Sequence, residues 1–313
     1  MLANFLFSVN VVIPVFAVML LGFILKKRDV INTHFLASGN KLVFYVGLPA
    51  LLFRGVYTSD IGDFMNVGFV AFLIIASVTT FFTIWAVAAV FLKEKPILAS
   101  FAQGAFRGNF AVMGIPLIIN LVGNVGMAPS AIVVIFVVPF FNVCSILVLA
   151  RCKGEKVGPL AMALAIIKNP SNIMIALGIL LTVLSISLPT AVFSTVNTVA
   201  NFATPLALLC MGGSMVFRGF DAKFKYALVA SIVKVVISPV VYTTAAVLLG
   251  FRGYELAVIV ILAGVPSAII CYAMAVQMGG DSDVAANIIL ISTVMSAFTL
   301  TAFIYVVSVM GWL

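Results

Sequence analysis

Long apolar runs separated by short polar segments extend over the whole chain. Because a helix needs about 20 apolar residues to cross the hydrocarbon core of a bilayer, the first half divides into five predicted spans, at residues 4–25, 41–57, 67–92, 98–121 and 127–150. The second half contains five more, at residues 170–188, 190–217, 225–249, 254–278 and 283–312. The pattern therefore predicts an all-α polytopic membrane protein with ten transmembrane helices.

The composition supports this class and excludes a soluble fold. Of the 313 residues, 64% are hydrophobic and only 8% are charged, so charged side chains are too few to cover a water-facing surface. The net charge of +8 comes from short basic clusters between the apolar runs. Such clusters determine membrane topology, so the expected partner of these charges is the lipid bilayer and not a nucleic acid.

The basic residues are distributed unevenly between the two sides of the predicted spans. One side carries Lys26, Lys27, Arg28, Lys41, Lys93, Lys95, Arg151, Lys153, Lys156, Lys168, Arg218, Lys223 and Lys225. The other side carries Arg252 with the acidic residues Asp60, Asp63 and Glu255. Since basic loops stay in the cytoplasm, we expect a multi-pass protein of the cell inner (plasma) membrane with both termini outside. The loop with Asp281 and Asp283 lacks basic residues, and these two are predicted to cap the tenth helix.

The two halves of the chain resemble each other. Three groups of residues recur at an offset of 156 or 157: Pro14 and Gly22 with Pro170 and Gly178, Pro49 with Pro205, and the apolar stretch ending at Leu92 with the one ending at Leu249. Transporters commonly contain such duplications. Because five helices are an odd number, the second copy enters the membrane from the opposite side. The sequence therefore predicts two inverted five-helix repeats, residues 1–156 and 157–313.

The fourth and ninth predicted spans each contain a Gly-x-Pro motif near the middle, Gly114-Ile-Pro116 and Gly264-Val-Pro266. Proline removes a backbone hydrogen bond and clashes with the preceding turn, and broken helix within a membrane needs cover from protein or a wet cavity. A break also exposes the N-termini of half-helices, which attract anions. The alternative is a pair of simple proline kinks.

Apart from residues at the span ends, three charged residues lie within the predicted spans, Arg54, Arg107 and Lys234, and no Asp or Glu does. Arg107 and Lys234 lie about ten residues into their spans, near the midplane, where an anionic ligand would be a natural partner. Alternatively, each pairs with backbone carbonyls at helix ends or extends towards the membrane surface. Arg54 is expected to do the latter, near Asp60 and Asp63.

Uncharged polar residues accompany the two proline motifs. Gln103 and Asn109 precede Pro116, and Ser267, Tyr272 and Gln277 follow Pro266. These groups suit hydrogen bonds to a ligand, and they suit equally well the satisfaction of unwound backbone or contacts between helices.

Enzymatic chemistry finds no support in the sequence. There is no hydrolase, P-loop or paired-cysteine motif and no carboxylate pair within a span. His34 is the only histidine, and one imidazole cannot assemble a metal site. We therefore expect no catalytic residue, no metal and no cofactor.

Three stretches resemble the auxin efflux carrier family, which includes plant PIN transporters and bacterial dicarboxylate permeases. ArgGlyAsnPheAlaValMetGlyIleProLeuIle, residues 107–118, is similar to the fourth-helix motif of that family. AlaGlyValProSerAla, residues 263–268, with GlyGlyAsp at 279–281, is similar to its ninth-helix region, and residues 41–53 to its second helix. The resemblance extends over essentially the whole chain.

This resemblance implies ten helices in two inverted repeats, with the fourth and ninth helices crossing at Pro116 and Pro266 and the substrate bound at the crossover. It implies that Asn109 supplies a polar contact to the ligand. It also implies that a bundle of helices 3–5 and 8–10 moves as an elevator against a scaffold of helices 1, 2, 6 and 7, and that the protein is a homodimer. Substrates of the family are organic anions.

The resulting hypothesis is secondary transport of a small mono- or dicarboxylate. The candidate substrate-binding residues are Asn109, Arg107, Gln103, Gly114, Pro116, Pro266, Ser267 and Lys234. The alternatives are a sodium-coupled organic-anion symporter with the fold of bile-acid carriers, a membrane sensor or subunit that does not transport, and a channel.

Overall fold

The structure, a computed structural model, describes residues 2–58, 66–154, 167–215, 219 and 223–313. Within these residues all regular structure is helical, and one isolated β-bridge joins two non-helical segments. Asp60, Asp63, Lys156, Arg218 and the predicted repeat boundary lie outside the described residues.

Seven helices of the described chain are long and apolar enough to cross a membrane, and the apolar helices Pro170–Val183 and Gly253–Gly264 are shorter. The predicted all-helical, multi-span membrane class is therefore confirmed, whereas the number of ten spans stays a prediction.

The described residues form fifteen α-helices, numbered in chain order. They are α1 (Leu2–Lys27), α2 (Thr33–Leu42), α3 (Leu48–Tyr57), α4 (Val67–Phe91), α5 (Lys95–Phe106), α6 (Ile115–Val122), α7 (Met127–Ile132), α8 (Val138–Lys153), α9 (Pro170–Val183), α10 (Thr190–Gly213), α11 (Phe224–Ile232), α12 (Ser238–Leu248), α13 (Gly253–Gly264), α14 (Ile270–Met278) and α15 (Ser282–Val309).

Two helix starts illustrate how side chains set the boundaries. The second predicted span begins at Thr33 rather than at residue 41, because the side chain of Asn32 accepts a hydrogen bond from Phe35 N at 2.8 Å and starts the helix in a polar stretch. At the start of α15, Asp281 accepts hydrogen bonds from the backbone amides of Asp283 and Val284, which confirms it as the predicted cap.

In the part of the chain that the structure describes, four short π-helical segments interrupt the spans: Val43–Gly47, Phe110–Gly114, Val133–Val137 and Val233–Ile237. Each ends two residues before a proline, namely Pro49, Pro116, Pro139 and Pro239. In each, the residue before the proline bonds five positions back, as Leu48 N does to Val43 O. Because this turn is wider than an α-turn, the proline fits without ending the helix.

The helix breaks in the predicted fourth and ninth spans lie at different distances from their prolines. The first break is at residues 107–109, between α5 and the π-helical segment Phe110–Gly114. The prediction that Pro116 interrupts the helix is wrong, because the wide π turn absorbs this proline and the backbone continues helically into α6. The second break, residues 265–269, contains Pro266 as predicted.

The helices pack in two groups, and the groups also meet each other where α1 packs against α15. In one, α1 packs against α10, and α3 packs against α9 and α10. A Cβ atom on Gly212 would lie 1.8 Å from Met19 O, and one on Gly22 would lie 2.1 Å from Leu209 O, so α1 and α10 require glycine where they touch. In the other group, α5 packs against α4, α8, α11, α14 and α15, and α12 packs against α13.

Candidate functional site

The two helix breaks are in direct contact. Gly108 and Ser267 form an antiparallel β-bridge, in which Asn109 N donates to Pro266 O at 2.8 Å and Ala268 N donates to Arg107 O at 3.1 Å. Unwound backbone inside a membrane protein must find hydrogen-bond partners within the protein. Each break therefore supplies backbone partners to the other.

Half-helices α5 and α14 lie side by side and antiparallel, from the breaks to their far ends. Midway along the pair, Gln103 Nε2 donates to Cys271 O at 2.9 Å. At the far end, Asp281 N donates to Pro96 O at 3.1 Å. Gln103 Oε1 is buried and accepts no hydrogen bond from the described residues, so this oxygen is available to a donor.

Arg107 lies at the C-terminal end of α5 and is only 5% exposed. Its guanidinium donates to Asn142 Oδ1 and, at 2.9 Å, to Met274 Sδ. No carboxylate forms an ion pair with it among the described residues. A thioether sulfur is a weak acceptor, so this buried cation is hydrogen-bonded but not neutralised.

Asn109 is 8% exposed and begins the π-helical segment after the first break. Its Nδ2 donates to Met211 Sδ of α10 at 3.2 Å. Both of the side chains with donors at this break, Arg107 and Asn109, thus contact a methionine sulfur that a stronger acceptor could replace.

Lys234, in the π-helical segment before α12, is 2% exposed. Its Nζ donates to Ala263 O at 2.6 Å and lies 3.4 Å from Leu262 O, at the C-terminal end of α13. Of the two interpretations of this residue from the sequence, the geometry matches pairing with backbone carbonyls at a helix end.

Three other predicted site residues, Ser267, Gly114 and Pro116, are buried within the packed helices. Ser267 Oγ donates to Gly104 O, and Ser267 N donates to Ser292 Oγ at 3.1 Å. The ring of Phe110 lies 2.7 Å from where a Cβ atom of Gly114 would be. Pro116 is buried seven residues beyond Asn109 and does not join the contact between the breaks.

Two small cavities lie beside the breaks, each of about 10 Å³, which is room for about one water molecule. One is lined by Arg107, Gly108 and Phe110. The other is lined by Lys234, Thr80, Ser238 and Tyr242. Phe141 and Leu262 line both, so the two cavities are neighbours. A carboxylate of several heavy atoms requires this region to open.

Neither half-helix that starts after a break has a side-chain cap. The helical segment that starts at Phe110 and the helix α14 both lack a side-chain hydrogen bond from their N-cap residues, Asn109 and Ile269. Their first amide groups carry partial positive charge. Together with Arg107, this makes the first break electropositive.

Sequence reasoning missed three residues of this site: Asn142, Met274 and Met211. Asn142 had a signal, since it is a polar residue in the middle of the predicted span 127–150. The methionines had none, because an apolar residue in an apolar span does not stand out. Outside the site, Arg54 donates to Asn201 Oδ1 at 2.6 Å, a partner on α10.

Comparison with known proteins places the chain among transporters. A family model described as "Membrane transport protein" matches it twice, over residues 7–161 and 158–304. An "Uncharacterized transporter" of Methanothermobacter thermautotrophicus is 25% identical over 300 residues, which cover 95% of this chain and 97% of that protein. A "Putative malonate transporter" of Rhizobium meliloti is 25% identical over 308 residues, which cover 95% of each.

Proposed function

We propose that this chain, which belongs to the membrane transport protein family of the auxin efflux carriers, is a secondary transporter of a small organic anion, a mono- or dicarboxylate. The observation that carries the proposal is the buried guanidinium of Arg107 at the contact between the helix breaks. A buried charge is costly unless it is paired, and no described carboxylate pairs with this one. An anionic substrate would supply the missing charge.

The substrate anion would bind at the first break. There Arg107 supplies a forked donor, Asn109 supplies an amide, and the uncapped amide groups after the break supply partial positive charge. Gln103 Oε1, buried without a partner among the described residues, would accept a hydrogen bond from a hydroxyl or amino group of the substrate. The name of the Rhizobium relative is consistent with a dicarboxylate.

The architecture proposed for this function has ten spans in two inverted repeats, whose broken fourth and ninth helices cross at the breaks. Two observations support it. The family model matches each half of the chain. The first helix of each half also packs against the second long span of the other half, α1 against α10 and α9 against α3. This exchange is what a two-fold relation between the halves would produce.

An elevator mechanism would move the helices of residues 67–153 and 223–313 against α1, α3, α9 and α10. Firm hydrogen bonds lie within each group, as from Arg54 to Asn201 and from Thr80 to Tyr242 at 3.0 Å. Two side-chain hydrogen bonds cross between the groups, one from Asn109 to the weak sulfur acceptor of Met211 and one from Asn120 Nδ2 to Val11 O at 3.2 Å. A sliding movement would break these two bonds and preserve the bonds within each group.

The orientation that we propose has the basic loops in the cytoplasm of a cell with an inner membrane, both termini outside, and two copies of the chain forming a dimer. The loop at Asp281, which lacks basic residues of its own, lies against Lys223 at 2.7 Å and against Pro96. Both neighbours belong to the basic side of the chain, so this loop fits the proposed side despite its composition.

Thermal stabilisation of the purified protein by candidate solutes tests the substrate class, because a ligand of the native state raises stability by RT ln(1 + [L]/Kd). The panel contains malonate, malate, monocarboxylates, indole acids, amino acids and neutral solutes. We expect a carboxylate to raise the Tm of the wild type and of Asn201→Ala, a matched control outside the site, but not of Asn109→Ala.

Counterflow in proteoliposomes then tests transport. We expect unlabelled carboxylate inside the vesicles to accelerate uptake of the same labelled acid, as a carrier requires. Stabilisation and counterflow with a neutral or cationic solute, and with no anion, would overturn the proposal.

A further inference from the structure

Lys234 places a positive charge at the end of a helix where negative partial charge collects. Its Nζ contacts Ala263 O at 2.6 Å and Leu262 O at 3.4 Å, immediately before α13 ends at Gly264. The last carbonyls of a helix have no partner within the helix and carry its negative pole. The ammonium of Lys234 donates hydrogen bonds to these last carbonyls of α13.

The surroundings of the ammonium are oxygen atoms, apolar groups and Gly108 of the first break, on which a Cβ atom would lie 3.2 Å from Nζ. The cavity beside it is lined by the hydroxyl residues Thr80, Ser238 and Tyr242. No ion pair of Lys234 with a carboxylate occurs among the described residues. Carbonyl and hydroxyl oxygens are the ligands that hard monovalent and divalent cations prefer. Without its ammonium, this place would be an oxygen-lined site for a cation.

The corresponding end of α5 has a neutral donor in the place of an ammonium. There the hydroxyl of Ser267 donates to Gly104 O. A neutral donor thus reaches the carbonyls at one helix end, and an ammonium reaches those at the other. Hydrogen bonding to backbone carbonyls does not by itself explain why the donor at the end of α13 is charged.

We infer that the ammonium of Lys234 is a built-in replacement for a coupling cation, so that transport by this chain does not require sodium. In transporters with broken helices, half-helix C-terminal ends and unwound carbonyls coordinate the Na⁺ or H⁺ that drives transport. A tethered ammonium occupies such carbonyls here and cannot dissociate. The part of this inference that concerns sodium coupling rests on the proposed transport function. The part that concerns the ammonium at the carbonyls of α13 does not.

Two substitutions of Lys234 distinguish the effect of its positive charge from the effect of the space that its side chain fills. Lys234→Ala removes the ammonium and leaves room for an ion and water at the carbonyls of α13. Lys234→Met removes the same charge but fills the space with an apolar chain of similar length. Each variant and the wild type are heated in NaCl, KCl or N-methylglucamine chloride at equal ionic strength, with unfolding followed by intrinsic fluorescence.

We expect a saturable rise in the Tm of Lys234→Ala with Na⁺ or K⁺, and no such rise for Lys234→Met or the wild type. A folded Lys234→Ala protein whose Tm is indifferent to the cation would overturn the inference. An equal rise in Lys234→Met would also overturn it, because the ion would then bind elsewhere.

Transport by the wild type supplies a second measurement that does not depend on the folding of a variant. We expect equal initial rates of carboxylate uptake into proteoliposomes with Na⁺ or N-methylglucamine outside, and a strict requirement for Na⁺ would overturn the inference. If the wild type carries no anion at all, the proposed function fails, while the comparison of the Ala and Met variants still decides the role of Lys234.

Discussion

The two helix breaks are in contact, but their polar groups have different kinds of hydrogen-bond partners. At the second break, Pro266 O accepts from Asn109 N, and Ser267 bonds to Gly104 O and Ser292. At the first break, the side chains of Arg107 and Asn109 each donate to a methionine sulfur, and Arg107 also donates to Asn142 Oδ1. The polar groups of the second break have oxygen and nitrogen partners, whereas each side-chain donor of the first break has one weak sulfur acceptor.

This difference indicates a division of labour between two similar pieces of chain. Hydrogen bonds between oxygen and nitrogen groups inside a protein are difficult to replace, because breaking them leaves buried groups unpaired. A bond to a thioether is exchanged more readily, and methionine is flexible enough to move aside. The second break is therefore suited to holding the structure, and the first to exchanging protein contacts for a ligand.

Removal of the guanidinium should have the largest effect on binding. For Arg107→Ala we expect anion affinity to fall by about 10- to 100-fold, since a hydrogen bond to a charged group contributes about 1.5–3 kcal/mol. Titration calorimetry with the carboxylate identified in the stabilisation screen measures this Kd. Arg54→Ala removes an arginine from within a predicted span outside the site and should retain the wild-type value. An unchanged Kd in Arg107→Ala would remove the first break from the binding site.

The second break should respond in stability instead of affinity. Ser267→Ala leaves the buried Gly104 O without its donor, which costs about 1–3 kcal/mol, so we expect a lower Tm and an unchanged Kd. Ser130→Ala is the matched control, because Ser130 is also a buried serine and its Oγ bonds at 2.6 Å to Gly126 O within its own turn. Weaker binding at full stability in Ser267→Ala would show that the second break holds the ligand too.

The far ends of the half-helices should contribute still less to stability. Asp281→Ala removes the cap of α15, and loss of such a cap costs about 1 kcal/mol. We expect a small decrease in Tm with no change in anion affinity. A large loss of affinity would show that the far end is coupled to the breaks, contrary to the local roles described above.

The carboxyl group of Asp281 also predicts that the stability of the protein depends on pH. Burial tends to raise the pKa of Asp281, but hydrogen bonds from Lys223 and from the amides of Val284 and Asp283 outweigh it and hold the pKa below its usual value. Its contribution to stability is therefore complete above the unfolded pKa of about 3.9 and is lost as the pH falls through the folded pKa. The Tm difference between wild type and Asp281→Ala should shrink in that acidic range.

Removal of a competing sulfur should have the smallest effect, in the opposite direction. Met274→Leu leaves a guanidinium N–H without its acceptor in the free protein, so an anion gains more on binding. We expect the Kd to fall by about twofold, at the lower limit of the 0.5–1.5 kcal/mol range for a hydrogen bond. Met113→Leu, at a buried methionine near the same break, is the control. Equal effects of both substitutions would indicate packing and not hydrogen bonding.

The class and family of this protein follow from the sequence alone. Apolar runs of this length leave a chain few options, because the bilayer core admits helices and closed barrels only, and the described residues are helical as predicted. The resemblance to the auxin efflux carrier family is confirmed by the match of the family model to both halves. The cap at Asp281 was also predictable, since capping depends on residues within one turn.

Other features depended on contacts that no local pattern contains. Pro116 reads as a helix breaker, but a π turn before it removes the clash, and the chain unwinds at residues 107–109 instead. Whether a helix widens or breaks at a proline depends on which neighbours can satisfy the freed backbone groups. Here Pro266 O and Ala268 N satisfy the groups of the first break, and they lie in the other half of the chain.

The sequence by itself determined that Arg107 and Lys234 are cations near the middle of apolar spans that carry no acid at a similar depth. Only the tertiary structure decided their partners, methionine sulfur and an asparagine for Arg107 and the carbonyls of α13 for Lys234. These partners come from segments far along the chain, and hydrogen bonds depend on how the helices pack in space. For that reason two residues with the same signal in the sequence differ in the roles that we propose, one at a ligand site and one at a helix end.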